Sequence, residues 1–207
     1  MSGTSHDLGP HALYARSRGL PLTAYTLAGT AVLAAWAAHA LHAYLGPGRL
    51  VPVVALAPML AAAAIGTGLH EHSAELNRTA VRPWWPRRLA VLLALTALAA
   101  GSLALAVPGG TQEFGAAAIV RNLLGAEGIA AAGAAMIGAR LSWLPVIAFL
   151  SSAYLAGGGR ATRAALVWDW PVQPGAHPGA WVTASLLFLG GAALYTVRGA
   201  RGEDTVG

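Results

Sequence analysis

The sequence predicts an all-α, polytopic membrane protein: a helical bundle of about six transmembrane helices with both termini in the cytoplasm. Three observations carry that prediction. Of 207 residues, 56% are hydrophobic and only 10% charged, with a mean hydropathy of +0.57. An average soluble domain carries about 25% charged residues, so this chain has too few to cover a water-facing surface. The apolar residues fall into six stretches, each near the ~20 residues that cross a ~30 Å hydrocarbon core as a helix. Finally, the arginines segregate between alternate connections.

The first stretch runs from Leu22 to Tyr44 and the second from Val51 to Leu69. The third, Leu89 to Val107, carries no charge and is closed by Pro108. The fourth, Phe114 to Gly138, is long and contains Arg121 and Glu127. The fifth, Leu141 to Gly157, is short, and Pro145 within it predicts a kink. The sixth runs from Trp181 to Val197. Nothing alternates with period two, so helices rather than a barrel satisfy the backbone in lipid.

All 13 basic residues are Arg. With the N-terminus inside, the cytoplasmic segments hold Arg16, Arg18, Arg78, Arg82, Arg87, Arg88, Arg140, Arg198 and Arg201. The outer segments hold Arg49, Arg160 and Arg163, and this asymmetry fits the positive-inside rule. Trp84, Trp85 and Trp143 fall at the inner boundary, and Tyr44, Trp168, Trp170 and Trp181 at the outer one. The net charge of +5 is therefore topological, and no nucleic-acid partner is implied. The expected partner of the surface is the lipid bilayer of the cell membrane. Ala38-His39-Ala40 resembles a signal-peptidase site, but the apolar run before it is long and follows a polar segment, so no cleavage is expected. The expected organisation is a cytoplasmic segment over 1–21, one transmembrane domain over 22–198 and a cytoplasmic tail over 199–207. The transmembrane domain carries a cytoplasmic loop at 70–88 and an outer loop at 157–179.

Cysteine is absent, which excludes disulfides, thiolate metal clusters and thiol catalysis. His39 and His42 lie toward the outer end of the first span, and His70 and His72 at the inner end of the second. These pairs sit at opposite faces, and His70-Glu71-His72 lacks the i, i+4 ligand spacing, so no metal site is expected. Ser151 and Ser152 have no base nearby in sequence. The chain is not read as an enzyme and needs no cofactor of its own.

Three segments stand out. In the cytoplasmic loop, Glu71, Glu75, Arg78 and Arg82 are spaced i, i+4, i+7, i+11. On a helix they form one charged stripe, acidic first and basic last, in the order the helix dipole favours. The stripe reads either as a docking helix for a cytoplasmic partner or as a solvated linker ahead of an anchor. In span four, Glu127 lies thirteen residues from Phe114, ~20 Å along a helix and past the midplane. A lone carboxylate there costs roughly 2.5–3.5 kcal/mol or more, so it is expected to be neutral, paired or facing a polar cavity. Arg121 is nearer the outer edge and can snorkel. Gly125 and Gly128 flank Glu127 and offer a place for the helix to break around a polar site, with Asn122 beside it. The alternative is a span beginning near Asn122. Ala130, Ala134 and Gly138 give a small-residue stripe for close helix packing. In the outer loop, Trp168, Asp169 and Trp170 precede Pro171 and Pro174, the pattern of a turn whose aromatics lie among headgroups.

The run Glu71, Glu75-Leu76, Thr79-Ala80 and Arg82-Pro83, with a basic entry into span three, resembles one family's cytoplasmic loop. The family is the permeases of type 2 ATP-binding-cassette exporters, and the loop joins their second and third spans. About fifteen residues carry the motif, and six spans, inside termini and a longer outer segment before the last span agree with it. The Gly-Thr pair common in that loop is absent, and Asn77-Arg78 stands where apolar residues are usual. The resemblance implies that Glu71 and Glu75, with Arg78 and Arg82, contact an ATPase subunit. It also implies an amphipathic elbow helix over His11 to Arg18, and an outer re-entrant cap with Asp169 near its mouth. ATP would be bound by a separate chain, since no G-x-x-x-x-G-K-[ST] loop occurs here. The assembly would be a homodimer or a pairing with a second permease chain. Two other functions fit the residues: a non-transporting accessory or scaffold protein, and, resting on Glu127 and the histidines alone, an intramembrane enzyme.

Overall fold

The structure is a computed structural model that describes residues 20–45, 51–70, 84–106, 115–156 and 168–201. All secondary structure among them is helical. Six α-helices follow in order: α1 (Leu20–Leu45), α2 (Val51–Gly68), α3 (Trp85–Ala106), α4 (Ala116–Ile137), α5 (Trp143–Ala156) and α6 (Pro178–Arg198). Short 3₁₀ turns at Ala139–Leu141 and Trp170–Val172 precede α5 and α6. Each helix coincides with one predicted apolar stretch.

Proline explains the differences at the boundaries. Helix α3 starts at Trp85, ahead of the predicted Leu89, and α6 at Pro178, ahead of Trp181. Pro86 and Pro178 fall in first turns, where a missing N–H costs no intrahelical bond. Pro145 is likewise in the first turn of α5, so the expected kink has no cause there. The proline inside a helix is Pro58, in α2.

Helix α4 is the centre of the bundle. Fourteen of its 22 residues are buried, against five of 22 in α3 and six of 21 in α6. It packs most extensively on α6, then on α2, α3 and α5, while α1 lies outside against α2 and α3. The expected break beside Glu127 does not occur: α4 is one continuous helix through Gly125 and Gly128. Those glycines permit close packing instead. A Cβ on Gly128 would run into the Leu187 backbone of α6, and one on Gly191 into the Gly128 carbonyl. Gly138, counted in the predicted small-residue stripe, lies beyond the helix at φ +101°, where it turns the chain into α5.

The bundle has two unlike ends. Arg88 donates to the Thr196 carbonyl (3.3 Å), and the Arg201 amide to Ala134 (2.9 Å). Gly66 abuts Ser142. Thus the ends of α2, α4 and α6 and the starts of α3 and α5 lie together. Arg87, Arg88, Arg140, Arg198 and Arg201 belong to this end, with Arg87 5.3 Å from the Trp84 ring centroid. At the other end the starts of α2 and α4 meet the 168–177 segment.

Two helices, α3 and α6, are long and apolar enough to cross a membrane; Tyr25–Ala37, Val53–Gly68 and Ala139–Ala153 are shorter apolar stretches. Leu93, Leu98 and Leu105 of α3, Val182, Leu186 and Leu189 of α6, and Val32, Leu33 and Trp36 of α1 are exposed. The predicted elbow over His11 to Arg18 and the charged stripe of Glu71, Glu75, Arg78 and Arg82 lie outside the described residues.

Candidate functional site: the polar core of the central helix

The buried charged residues among those described, Arg121 and Glu127, are both on α4 with Asn122. Their surroundings are opposite in kind. Arg121 is enclosed by acceptors. Its Nη1 donates to the Pro174 carbonyl (2.7 Å) and its Nη2 to the Gln173 carbonyl (2.8 Å). Nε and Nη2 also reach Asn122 Oδ1 at 3.1 and 3.0 Å. Asn122 Nδ2 then donates to the carbonyls of Pro171 (2.7 Å) and Val54 (3.0 Å). Four of the five guanidinium donors are engaged, and both ends of the amide are satisfied.

The backbone explains why this network exists. Pro58 has no N–H, so the Val54 carbonyl, four residues earlier in α2, lacks its helical donor. Asn122 supplies one from the neighbouring helix. The carbonyls of Pro171, Gln173 and Pro174 come from a short 3₁₀ turn and the extended chain after it, where no α-helical ladder supplies their donors. Arg121 and Asn122 therefore bind the 170–174 segment to the bundle. Arg121 does not snorkel to an outer surface.

The same segment is held by aromatic packing. Trp170 is fully buried, with its ring seated where a Cβ on Gly125 would be. Phe149 of α5 stacks on Trp168 and Trp170, at centroid distances of 5.6 and 6.1 Å. Trp181 Nε1 donates to the Gly175 carbonyl (2.8 Å), and Gly175 itself lies against Ala118 of α4. The expected turn with both tryptophans among headgroups is thus corrected. Trp168 is exposed and Asp169 half-buried, while Trp170 is inserted into the protein.

Glu127 is fully buried, and neither carboxylate oxygen has a hydrogen-bond partner. It lies eleven residues from the start of α4 at Ala116, or ~16 Å along the axis, at mid-helix. The Arg121 guanidinium is committed to the Gln173 and Pro174 carbonyls. Leu123, Ala131 and Ala134 share its helical face by spacing. They belong to one cluster that draws on α1, α2, α3 and α6. Gly128, one position on, meets α6, and Ala130, to the other side, meets Gly66 of α2, so Glu127 lies between these contacts on the face that packs against α3. An apolar cleft of about 430 Å³ opens between α4, α5 and α6, lined by Gly128, Met136, Pro145, Leu187 and Gly191; Glu127 is not part of its wall. A buried unsatisfied polar group costs about 1–3 kcal/mol, so Glu127 is the one expensive residue in an otherwise satisfied helix.

No cluster of three or more potential metal ligands occurs among the described residues. His39 is exposed, with Nδ1 2.9 Å from the Ala35 carbonyl. Sequence reasoning singled out Arg121, Asn122 and Glu127 but missed Pro58 and Gly191. A proline within a predicted helix was the available signal, because the carbonyl four residues before it lacks its helical donor and asks for one from another helix.

No family model, curated protein or solved structure matches the chain.

Proposed function

We propose that the chain is a multi-pass protein of the cell membrane with six spans and both ends in the cytoplasm. We assign it the role of permease-like subunit in an ATP-binding-cassette exporter. A separate ATPase chain supplies the nucleotide chemistry, and the subunit works as a homodimer or beside a second permease chain. The observation that carries this reading is the inward-folded segment between α5 and α6. Arg121, Asn122 and the buried Trp170 hold it as a cap on one end of the bundle. An outer cap before the last span is what the resemblance to exporter permeases implies.

Two further features support the membrane part of the reading. The helices turn leucine, valine and tryptophan outward, a surface suited to acyl chains. Five arginines also gather at the end that brackets the 71–83 connection, as the positive-inside rule asks of a cytoplasmic face.

The test is capture of the tagged protein from its native membrane in mild detergent, with mass spectrometry and an ATPase assay. A P-loop ATPase is expected to co-purify. The double charge reversal Glu71→Lys/Glu75→Lys is expected to lose it while the permease still folds. Recovery with non-ATPase partners alone, unaffected by the reversal, would favour the accessory or scaffold reading.

A further inference from the structure

We propose that Glu127 is a proton-binding site built into the seam between α3 and α4. It holds its proton while the seam is closed and releases it to water when the seam opens. The proposal rests on the membrane-bundle reading and not on the exporter assignment.

The closed packing offers an ionised carboxylate nothing. Both oxygens are unpartnered, and the residue is fully buried. Among the described residues, the titratable groups on the elements packed against α4 lie mostly toward its two ends: Arg140 is in the 3₁₀ turn after it, and Asp169 and His177 flank the 170–174 segment at its start. Helix α2 carries no titratable residue between Val51 and Gly68. Helix α3 has Arg87 and Arg88, both in its first turn. Helix α6 brings the buried phenol of Tyr195 and, at its end, Arg198. The titratable residue of α5 is Tyr154, near its last turn. On α4 itself, Arg121 is bound to Asn122 and the cap. A neutral carboxyl is the form that fits this packing, and a carboxylate must meet water.

The seam beside Glu127 is held by apolar packing over most of its length. Helix α3 meets α4 over a smaller interface than α6 or α2 does. Its buried residues, Leu92, Leu95, Thr96, Ala99 and Leu103, form a single stripe. Its hydroxyls are spent on its own backbone, Thr96 on Leu92 (2.8 Å) and Ser102 on Ala99 (3.1 Å). Among the described residues, Arg88 tethers α3 to the Thr196 carbonyl of α6, at the arginine-rich end. Swinging about that end separates the middle of α3 from Glu127 without breaking the Arg121 network. The proton then passes from the carboxyl to entering water, and closure requires its return.

The cysteine-free chain allows a direct test. Ala99, fully buried on the α3 stripe, is replaced in Ala99→Cys, and the full-length protein is reconstituted into phosphatidylcholine vesicles. Its reaction with a water-soluble maleimide is followed at mildly acidic and mildly alkaline pH, with Glu127 intact and in Glu127→Gln. Each rate is normalised to the denatured protein at the same pH, removing the thiol's own titration. The ratio of intact to Glu127→Gln rates is expected to rise several-fold on going alkaline. An unchanged ratio overturns the proposal, because a permanently neutral carboxyl and its amide behave alike. Should Ala99→Cys misfold, Ala131→Cys on the facing helix reports the same seam. Neither reporter uses an ATPase, so loss of the exporter reading leaves this result standing.

Discussion

Gly191→Ala and Gly128→Ala are expected to destabilise the bundle severely, whereas Gly190→Ala leaves it as stable or makes it more so. The three residues lie at one helix crossing but meet different surroundings. A methyl on Gly191 is driven into the Gly128 carbonyl, and one on Gly128 into the Leu187 backbone. Backbone cannot rotate away as a side chain can. The helices must part, and the α4–α6 interface is the largest among the described helices. Overpacking typically costs about 1–3 kcal/mol and occasionally more; contact with main-chain atoms puts these two changes at or above the top of that range. Gly190 has nothing within 4 Å of its Cβ position. There the substitution gains the ~1 kcal/mol by which alanine exceeds glycine in a helix. Thermal denaturation in detergent, followed by size exclusion, measures all three. Equal melting of Gly190→Ala and Gly191→Ala would refute the crossing.

The second large effect is expected at Asn122, and its signature is non-additivity. Asn122→Leu removes the donor to Val54 and Pro171 and the acceptor for two guanidinium N–H groups. At about 1–3 kcal/mol for each buried group left unsatisfied, the total loss is roughly 3 kcal/mol or more. One of those groups can be rescued. Pro58→Ala restores an N–H four residues after Val54, so its carbonyl regains a helical donor. In that background Asn122→Leu should cost less, by roughly 1 kcal/mol, within the range of coupling energies between interacting residues. A double-mutant cycle by denaturant titration checks this. Strict additivity would mean that the proline and the asparagine are unrelated.

The helices were legible because each is one long apolar run, and first-turn prolines account for where α3 and α6 begin. The fate of the polar residues was not legible. Arg121 and Glu127 stand six positions apart on one apolar helix, and sequence alone presents both as charges in a membrane. The path of residues 170–174 separates them, because it delivers three carbonyls to Arg121 and Asn122 and nothing to Glu127. Likewise Trp168 and Trp170 look equivalent as interfacial aromatics. Gly125 provides a socket for one of them, and this depends on a contact between residues 45 positions apart. Close approach at Gly128 and Gly191 was hidden for a related reason. In a chain so rich in alanine and glycine, small-residue spacing occurs everywhere and does not mark the crossing.

The proposed bundle crosses the membrane with its arginine-rich end inside, and topology mapping tests this most directly. Single cysteines are placed by Ser73→Cys, Thr162→Cys and Thr205→Cys in the cysteine-free chain. Intact cells are then treated with a membrane-impermeant maleimide. Labelling is expected at position 162 alone, with 73 and 205 reacting after the membrane is opened. Labelling of 73 from outside, or protection of all three by the same side, would contradict it.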